Sequence, residues 1–187
     1  HLGVSDGLSQ VCIPSIYQDE LGAVWLGTTE GLNRYNGKDV KVFQPSESNH
    51  GLTNNEINEL CGDKNGRMYI RSGNDLIKLD IYTEQFTCLR QKGVYGLFCK
   101  KDTLWVSCAD GIYYYTGQGT ELTFFARVQK GFVGRALYVD KETVWVVTRK
   151  YLVAISREDP LRQEILLTLD KGNCILGDSY GNIWVGA

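Results

Sequence analysis

Five aromatic residues recur along the chain at nearly equal intervals. Trp25, Tyr69, Trp105, Trp145 and Trp184 are separated by 44, 36, 40 and 39 residues. A period near 40 residues is typical of propellers, in which each blade is a small sheet of four strands. The repeat therefore predicts an all-β fold, a β-propeller built from four-stranded antiparallel blades.

Each aromatic residue follows a short turn motif. Three copies have the pattern Asp-x-x-Gly-x-x-aromatic, and the other two shorten the turn to residues 100–103 and 140–143. An Asp side chain accepts hydrogen bonds from backbone N–H groups two residues further on, and Gly adopts the positive φ of a tight turn. We therefore expect every one of these aromatic residues to lie in the second strand of its blade and to be buried in the core.

Apolar runs on both sides of each turn predict four strands in every complete repeat. The predicted blades cover residues 12–43, 55–90, 94–126 and 135–168, and a truncated fifth blade covers 173–187. Residues 1–4 are predicted to be the outer strand of a preceding or closing blade. The sequence thus predicts one partial propeller domain over 1–187, an open arc of four to five blades. We expect an excised piece of a longer protein whose open ends self-associate or leave it marginally stable.

The overall composition disfavours two kinds of partner. The 187 residues carry a net charge of −2 without a cluster of Lys and Arg, which argues against a nucleic-acid surface. No apolar run approaches the roughly 20 residues of a membrane span, so no direct membrane contact is expected. A hydrophobic content of 43% is sufficient for a sizeable core.

Cysteine and histidine spacing gives no metal-binding pattern. The six cysteines form no Cys-x-x-Cys pair, and the two histidines, His1 and His50, lie far apart. We therefore predict no metal and no cofactor. The cysteines are expected to be unpaired, buried residues of strands, although an oxidising compartment would permit disulfides.

One segment of the first repeat is specific enough to indicate a family. Residues 16–37 read IYQDELGAVWLGTTEGLNRYNG, and residues 51–57 read GLTNNEI. Both segments resemble the two-component regulator propeller repeat. The resemblance extends over essentially the whole chain and is weakest in the fourth repeat, where Arg149, Lys150 and Tyr151 replace the turn Thr29–Gly31 of the first.

The resemblance implies a specific biological setting. Such repeats form the extracytoplasmic, periplasmic sensor of hybrid two-component histidine kinases in Bacteroidetes, which regulate polysaccharide utilisation. This piece would recognise glycan-derived oligosaccharides or transmit that signal. Its expected partners are an oligosaccharide, the remaining blades and β-sandwich of the parent sensor, and a second copy in a homodimer. The resemblance implies that the parent is a kinase and that this piece is not itself an enzyme.

Two other functions remain open from the residues. A protein-interaction propeller would share the same blades, but the chain lacks a Trp-Asp ending to its repeats. A propeller glycosidase or lyase would need converging carboxylates, whereas most acidic residues here occupy turns. Binding without turnover favours the sensor, turnover favours the enzyme, and binding of a protein alone favours the scaffold.

Topology alone places the candidate ligand site. In a propeller, the turns between second and third strands share one face with the links between blades. The links are residues 46–55, 91–95, 129–135 and 170–173. Arg, Asn and aromatic side chains suit sugar hydroxyls and carboxylates. The candidate ligand-binding residues of the turns are Thr29, Glu30, Asn74, Asp75, Asp110, Arg149 and Lys150. No catalytic residue is predicted.

Overall fold

The computed structural model describes residues 2–45 and 51–187, which form five antiparallel sheets. Sheet 1 consists of β1 (Ser15–Gln18), β2 (Val24–Thr28), β3 (Gly31–Tyr35) and β4 (Val40–Phe43). Sheet 2 consists of β5 (Ile57–Gly62), β6 (Arg67–Ser72), β7 (Asp75–Asp80) and β8 (Gln85–Arg90). Sheet 3 consists of β9 (Val94–Lys100), β10 (Thr103–Cys108), β11 (Gly111–Tyr115) and β12 (Thr123–Ala126).

The remaining strands form two further sheets. Sheet 4 consists of β13 (Gly134–Val139), β14 (Thr143–Thr148), β15 (Tyr151–Ser156) and β16 (Gln163–Thr168). Sheet 5 consists of β17 (Cys174–Gly177) and β18 (Ile183–Gly186). In the four-stranded sheets each strand pairs antiparallel with the next strand along the chain. This arrangement confirms the all-β fold and matches a propeller fragment of several blades.

The first residues differ from the predicted outer strand. Residues 2–4 contain no strand, and Val4 begins a 3-10 helix, Val4–Asp6. Gly3 N donates to Asp6 Oδ2 (2.9 Å), and Asp6 N donates to Gly3 O (3.0 Å), which explains the turn-like backbone. His1 lies outside the described residues. The assignment of residues 1–4 to another blade, and the grouping of all sheets into one domain, stay predictions.

The Asp-x-x-Gly turn also binds the aromatic residue that follows it. Asp19 Oδ1 accepts hydrogen bonds from Leu21 N (3.0 Å) and Ala23 N (2.9 Å). Its other oxygen, Oδ2, accepts one from the indole Nε1 of Trp25 (2.7 Å). Gly22 has a φ of +86°, as the turn requires. The carboxylate therefore fixes the turn and the ring together. The sequence pattern predicted the turn and the register of the aromatic residue, but not the hydrogen bond to its ring.

A hydrogen bond from the indole Nε1 to the Asp of the turn is also present in two later repeats. It joins Trp145 to Asp140 (2.7 Å) and Trp184 to Asp178 (3.0 Å). In the second repeat Tyr69 has no ring N–H, and the guanidinium Nε of Arg67 donates to Asp63 instead. Each of these carboxylates thus has a side-chain donor in addition to backbone N–H groups.

The chain divides into two compact units, His1–Lys92 and Gly93–Ala187, each with its own core. The first core contains Trp25, Leu32, Phe43, Ile57, Met68, Ile70, Ile77 and Leu79. The second core contains Trp105, Ile112, Leu137, Val139, Val144, Val146, Val153 and Ile155. Most of these residues lie in the two middle strands of the four-stranded sheets, where apolar side chains alternate across the pleated strand.

All five repeat aromatic residues lie in the second strand of their sheets, but they are not equally buried. Trp25 and Tyr69 are fully buried, Trp105 is nearly so, and Trp145 is half-buried. Trp184, in contrast, is 62% exposed, so the expectation of burial is wrong for this residue. Its sheet contains two described strands, β17 and β18, whereas each of the other four sheets has four.

The expectation that the cysteines are buried is also wrong in part. Cys108 is buried, and Cys61, Cys88 and Cys99 are half-buried. Cys12 and Cys174 are exposed because the first precedes β1 and the second lies in the two-stranded sheet 5. That the six thiols are unpaired stays a prediction.

The described part of the chain lacks two further features. Residues 2–45 and 51–187 contain no group of three or more His, Cys, Asp and Glu side chains that could hold a metal ion. None of the helices in these ranges has the length and apolar character needed to cross a membrane. The predicted lack of metal and cofactor stays a prediction.

Candidate ligand-binding site

The candidate ligand-binding residues lie at the ends of second and third strands. Thr29 and Glu30 connect β2 to β3, and Asn74 precedes Asp75, the first residue of β7. In the second unit, Asp110 lies between β10 and β11. Arg149 and Lys150 connect β14 to β15. Of the predicted links, residues 46–50 lie outside the described part of the chain.

In the first unit, the following link is hydrogen-bonded to the turns. Gly31 N donates to Asn55 O (2.8 Å), and Gly73 N donates to Glu56 O (2.7 Å). The described end of this link therefore runs beside the turns of both sheet 1 and sheet 2. This contact supports the prediction that turns and links share one face of the blades.

Two candidate residues of the first unit have structural partners. The carbonyl oxygen of Glu30 accepts a hydrogen bond from Gln44 Nε2 (2.8 Å), and Asp75 Oδ1 accepts one from Lys92 N (2.6 Å). The bond from Lys92 means that Asp75 stabilises the backbone at the end of sheet 2. As a separate effect, burial raises the pKa of the nearby Cys88 thiol, and the negative charge of Asp75 raises that pKa further.

Buried polar residues hold the turn of sheet 1 in place. Thr28 Oγ1 donates to Gly31 O (2.8 Å) and accepts from Glu30 N (3.0 Å). Asn33 Oδ1 accepts from Ser9 N (2.9 Å), which ties the preceding segment to β3. Thr28 and Asn33 are fully buried, so these bonds satisfy polar groups that would otherwise lose their contact with water.

The second unit contains a cleft of about 400 Å³ between one such turn and two links. We call it the basic cleft, and its lining residues are Tyr95, Phe132, Val133, Arg135, Thr148, Arg149 and Lys150. The last two are candidate residues from the sequence. All the others except Thr148 belong to the predicted links 91–95 and 129–135. The structure thus brings residues from three separate segments of the chain to one site.

The charged side chains that line the basic cleft are all cationic. Arg135, Arg149 and Lys150 have exposed side chains, and no carboxylate lines the cleft. Within residues 2–45 and 51–187, none of these three side chains forms an ion pair or a hydrogen bond. Their donor groups face solvent and are available to a ligand.

Aromatic rings supply the apolar part of the lining. Tyr95 is 37% exposed, so part of its ring is accessible. The ring of Phe132 packs against Tyr151, with 4.8 Å between the ring centroids and an angle of 39° between the planes. This contact fixes the orientation of Phe132 beside the cationic side chains.

The backbone that carries Arg149 and Lys150 is held on two sides. Thr148 Oγ1 accepts hydrogen bonds from Lys150 N (3.3 Å) and Tyr151 N (2.9 Å). The following link donates to the turn, from Gly172 N to Arg149 O (3.1 Å) and from Leu169 N to Lys150 O (2.6 Å). These bonds use the backbone groups of the turn and leave both cationic side chains free.

Two other cavities of this unit differ in chemistry from the basic cleft. Asp110 and Arg127 line a smaller cavity of about 210 Å³, and Asp110 Oδ2 accepts a hydrogen bond from Tyr113 OH (2.9 Å). A cavity of about 470 Å³ carries Glu142, Arg162 and Glu164. These three residues are not among the candidates predicted from the sequence, because they belong neither to a second-to-third turn nor to a link.

Comparison with known proteins agrees with the repeat read from the sequence. Residues 7–30 match the family described as two component regulator propeller, which confirms the resemblance. A curated relative, histidine kinase P4 of Formosa agariphila, is 44% identical over 39 residues, which cover 21% of this chain. The matched part of the chain covers 3% of the length of that relative.

Solved structures show the fold of the whole chain. The extracellular domain of a protein described as a hybrid two-component system from B. thetaiotaomicron matches with a TM-score of 0.85 and 23% identity. The match covers 100% of this chain and 29% of that one. Virginiamycin B lyase from Staphylococcus aureus matches with a TM-score of 0.69 and 11% identity over 93% of this chain and 62% of its own. At these identities the likeness shows a propeller fold alone.

Proposed function

We propose that this chain is part of the extracytoplasmic sensor of a hybrid two-component histidine kinase, located in the periplasm. The match of residues 7–30 to the two component regulator propeller family is the observation that carries the proposal. The parent protein, by the same inference, contains further blades and a β-sandwich, forms a homodimer and regulates polysaccharide utilisation. This piece binds an oligosaccharide or transmits the signal that oligosaccharide binding produces.

The basic cleft is the strongest candidate for ligand recognition in this chain. Small-molecule sites are concave, mostly apolar surfaces of roughly 300–1,000 Å³ with a few well-placed polar groups. A cleft of about 400 Å³ with two aromatic rings and three unpaired cations has this character. The candidate residues Thr29, Glu30, Asn74, Asp75 and Asp110 lie in equivalent turns and remain secondary candidates.

We further propose that this part of the protein has no catalytic activity. The lining of the basic cleft offers no carboxylate and no histidine for proton transfer near neutral pH. Propellers include both enzymes and binding proteins, so the proposal rests on the lining of the cleft and not on the fold.

Calorimetry of the purified chain against a panel of neutral and acidic oligosaccharides tests the proposal. Chromatography of each mixture after prolonged incubation measures turnover. We expect at least one saccharide to bind and to be recovered intact. Cleavage of a bound saccharide would contradict the sensor and favour an enzyme. Binding of a protein alone, with no saccharide bound, would favour the interaction scaffold.

A further inference from the structure

The basic cleft has a property that recognition of neutral sugars does not require. Hydroxyl groups of a neutral sugar are bound well by mixtures of donors and acceptors. Here the charged groups of the lining are donors only, because Arg135, Arg149 and Lys150 are not accompanied by any Asp or Glu. The excess of positive charge is local, since the chain as a whole has a net charge of −2.

The side chains that line the cleft are suited to one anionic group beside a sugar ring. Guanidinium groups bind planar carboxylates through two parallel hydrogen bonds, and charge-assisted bonds of this kind are stronger than neutral ones. Tyr95 and Phe132 lie in the same lining and provide apolar surface for the C–H face of a sugar. Neighbouring cations of equal sign repel one another, so a bound anion would relieve that repulsion.

The cleft is organised before a ligand arrives. The turn that carries Arg149 and Lys150 is fixed by Thr148 and by the link at Leu169–Gly172. Gly96, in β9, lies so close to Arg135 that an added Cβ would be 2.7 Å from the Arg135 carbonyl oxygen. The absence of a side chain at Gly96 therefore lets the strand that carries Arg135 approach the strand that carries Tyr95. A rigid backbone reduces the entropy cost of binding.

We propose that the basic cleft binds an anionic sugar residue, one that carries a carboxylate or a sulfate group. This inference rests on the proposed sensor function and narrows the class of ligand. Arg149 and Arg135 bind the anionic group, Lys150 adds a further charge, and the rings of Tyr95 and Phe132 contact the sugar ring.

Calorimetry with three probes tests the inference: an oligogalacturonide, a sulfated disaccharide and a neutral glucose trisaccharide. We expect one or both acidic probes to bind at least about tenfold more tightly than the neutral probe, as charge-assisted hydrogen bonds require. Their affinity should fall as salt is raised, because salt screens exposed charges. The relative affinity of the two acidic probes identifies the anionic group.

Substitutions locate the binding to the cleft. Arg149→Ala and Lys150→Ala should each weaken acidic binding about tenfold or more. Arg149→Lys should restore only part of the affinity, since Lys cannot bind a carboxylate through two parallel bonds. Lys141→Ala is the matched control for Lys150→Ala, because Lys141 is also exposed but lies in the turn at the other end of β14. It should bind like the wild type, and thermal unfolding should show that all variants are folded.

Three results would overturn the inference. They are equal affinity for neutral and acidic probes, wild-type affinity in Arg149→Ala, and no binding of either acidic probe. Tight binding of the neutral probe alone would reject the anionic ligand while leaving the sensor function intact. Cleavage of a probe would reject the sensor function itself, so the two failures are distinguishable.

Discussion

Asp19 shows how much one residue of the repeat contributes. Its carboxylate is buried and accepts hydrogen bonds from two backbone N–H groups and from the indole of Trp25. The bond to the ring joins the turn to the core of the sheet. Asp178 makes the corresponding bond to an exposed Trp184, so the same motif occurs in a buried and in an exposed setting.

Asp19→Ala should therefore destabilise the protein strongly. The substitution leaves a buried indole N–H and two backbone N–H groups without acceptors, which costs about 2–4 kcal/mol. Urea unfolding followed by tryptophan fluorescence measures the change. Asp178→Ala is the matched control and should cost clearly less, because water can replace the lost acceptor. Equal effects of the two substitutions would contradict this account.

Asp140 provides a pH-dependent contribution to stability. Burial by itself raises the pKa of this carboxyl. Hydrogen bonds from the Trp145 indole and from the backbone N–H groups of Glu142 and Thr143 lower the pKa by more, and the positive charge of Lys100 lowers it further. The pKa is thus below its ordinary value. A depressed carboxyl pKa stabilises the folded state above the unfolded pKa, and this stability is lost as pH falls through the folded pKa.

Asp140→Asn should then be less stable than the wild type at neutral pH, and the difference should shrink as the pH falls below about 4. The urea midpoints of both proteins, measured from neutral to acidic pH, check this expectation. The pKa of Asp178 is lowered to about 2, chiefly by its hydrogen bond to Trp184. The loss of stability that protonation of Asp178 causes at low pH occurs in the wild type and in Asp140→Asn alike, so it cancels in the difference between them. A difference between the two proteins that is constant with pH would contradict the assignment to Asp140.

At the scale of the elements, the second strand of sheet 3 is a centre of packing. Trp105 in β10 lies 5.0 Å from Phe125 and 5.6 Å from Tyr114, measured between ring centroids. The guanidinium carbon of Arg157 lies 5.6 Å from the same ring and adds a cation–π contact. The side chain is therefore surrounded by its own sheet and by a residue of the segment between β15 and β16.

Trp105→Ala should cost about 3–5 kcal/mol, the range for removal of a large buried ring. Denaturant unfolding measured by circular dichroism gives the free energy of unfolding. Trp184→Ala is a suitable control, because its ring is 62% exposed and little packing is lost. If Trp105→Ala were as stable as Trp184→Ala, the ring of Trp105 would not be part of a well-packed core.

At the scale of the whole molecule, the chain consists of two compact units with separate hydrophobic cores. Proteins built from stacked repeats derive their stability mainly from contacts within repeats and between neighbouring repeats. Each unit here contains two neighbouring four-stranded sheets and the contacts between them.

We therefore expect residues 1–92 and 93–187, produced as separate chains, each to fold. Each should retain the circular dichroism spectrum of β-sheet and unfold in one cooperative transition. Amide hydrogen exchange should protect the inner strands of both halves. If either half remains unfolded under conditions in which the whole chain is folded, the contacts within that half are insufficient to fold it, and the expectation is wrong.

The sequence by itself determined the fold class, the number of strands in each repeat and the position of the aromatic residues in the second strand. These features depend on residues within one hairpin. The turn between β1 and β2, for example, needs only Asp19, Gly22 and the apolar residues on each side. The sequence also placed Arg149 and Lys150 correctly in a turn, because the spacing of the repeat defines where the second strand ends.

Only the tertiary structure decided which of these residues are buried and which meet. The exposure of Trp184 and of Cys174 depends on which groups pack against them, and a pattern within one hairpin does not record those contacts. The basic cleft joins Tyr95 to Lys150, which are 55 residues apart in the sequence. The physical reason is that turns are set by hydrogen bonds between near neighbours in the chain, whereas burial and ligand sites are set by contacts between separate sheets.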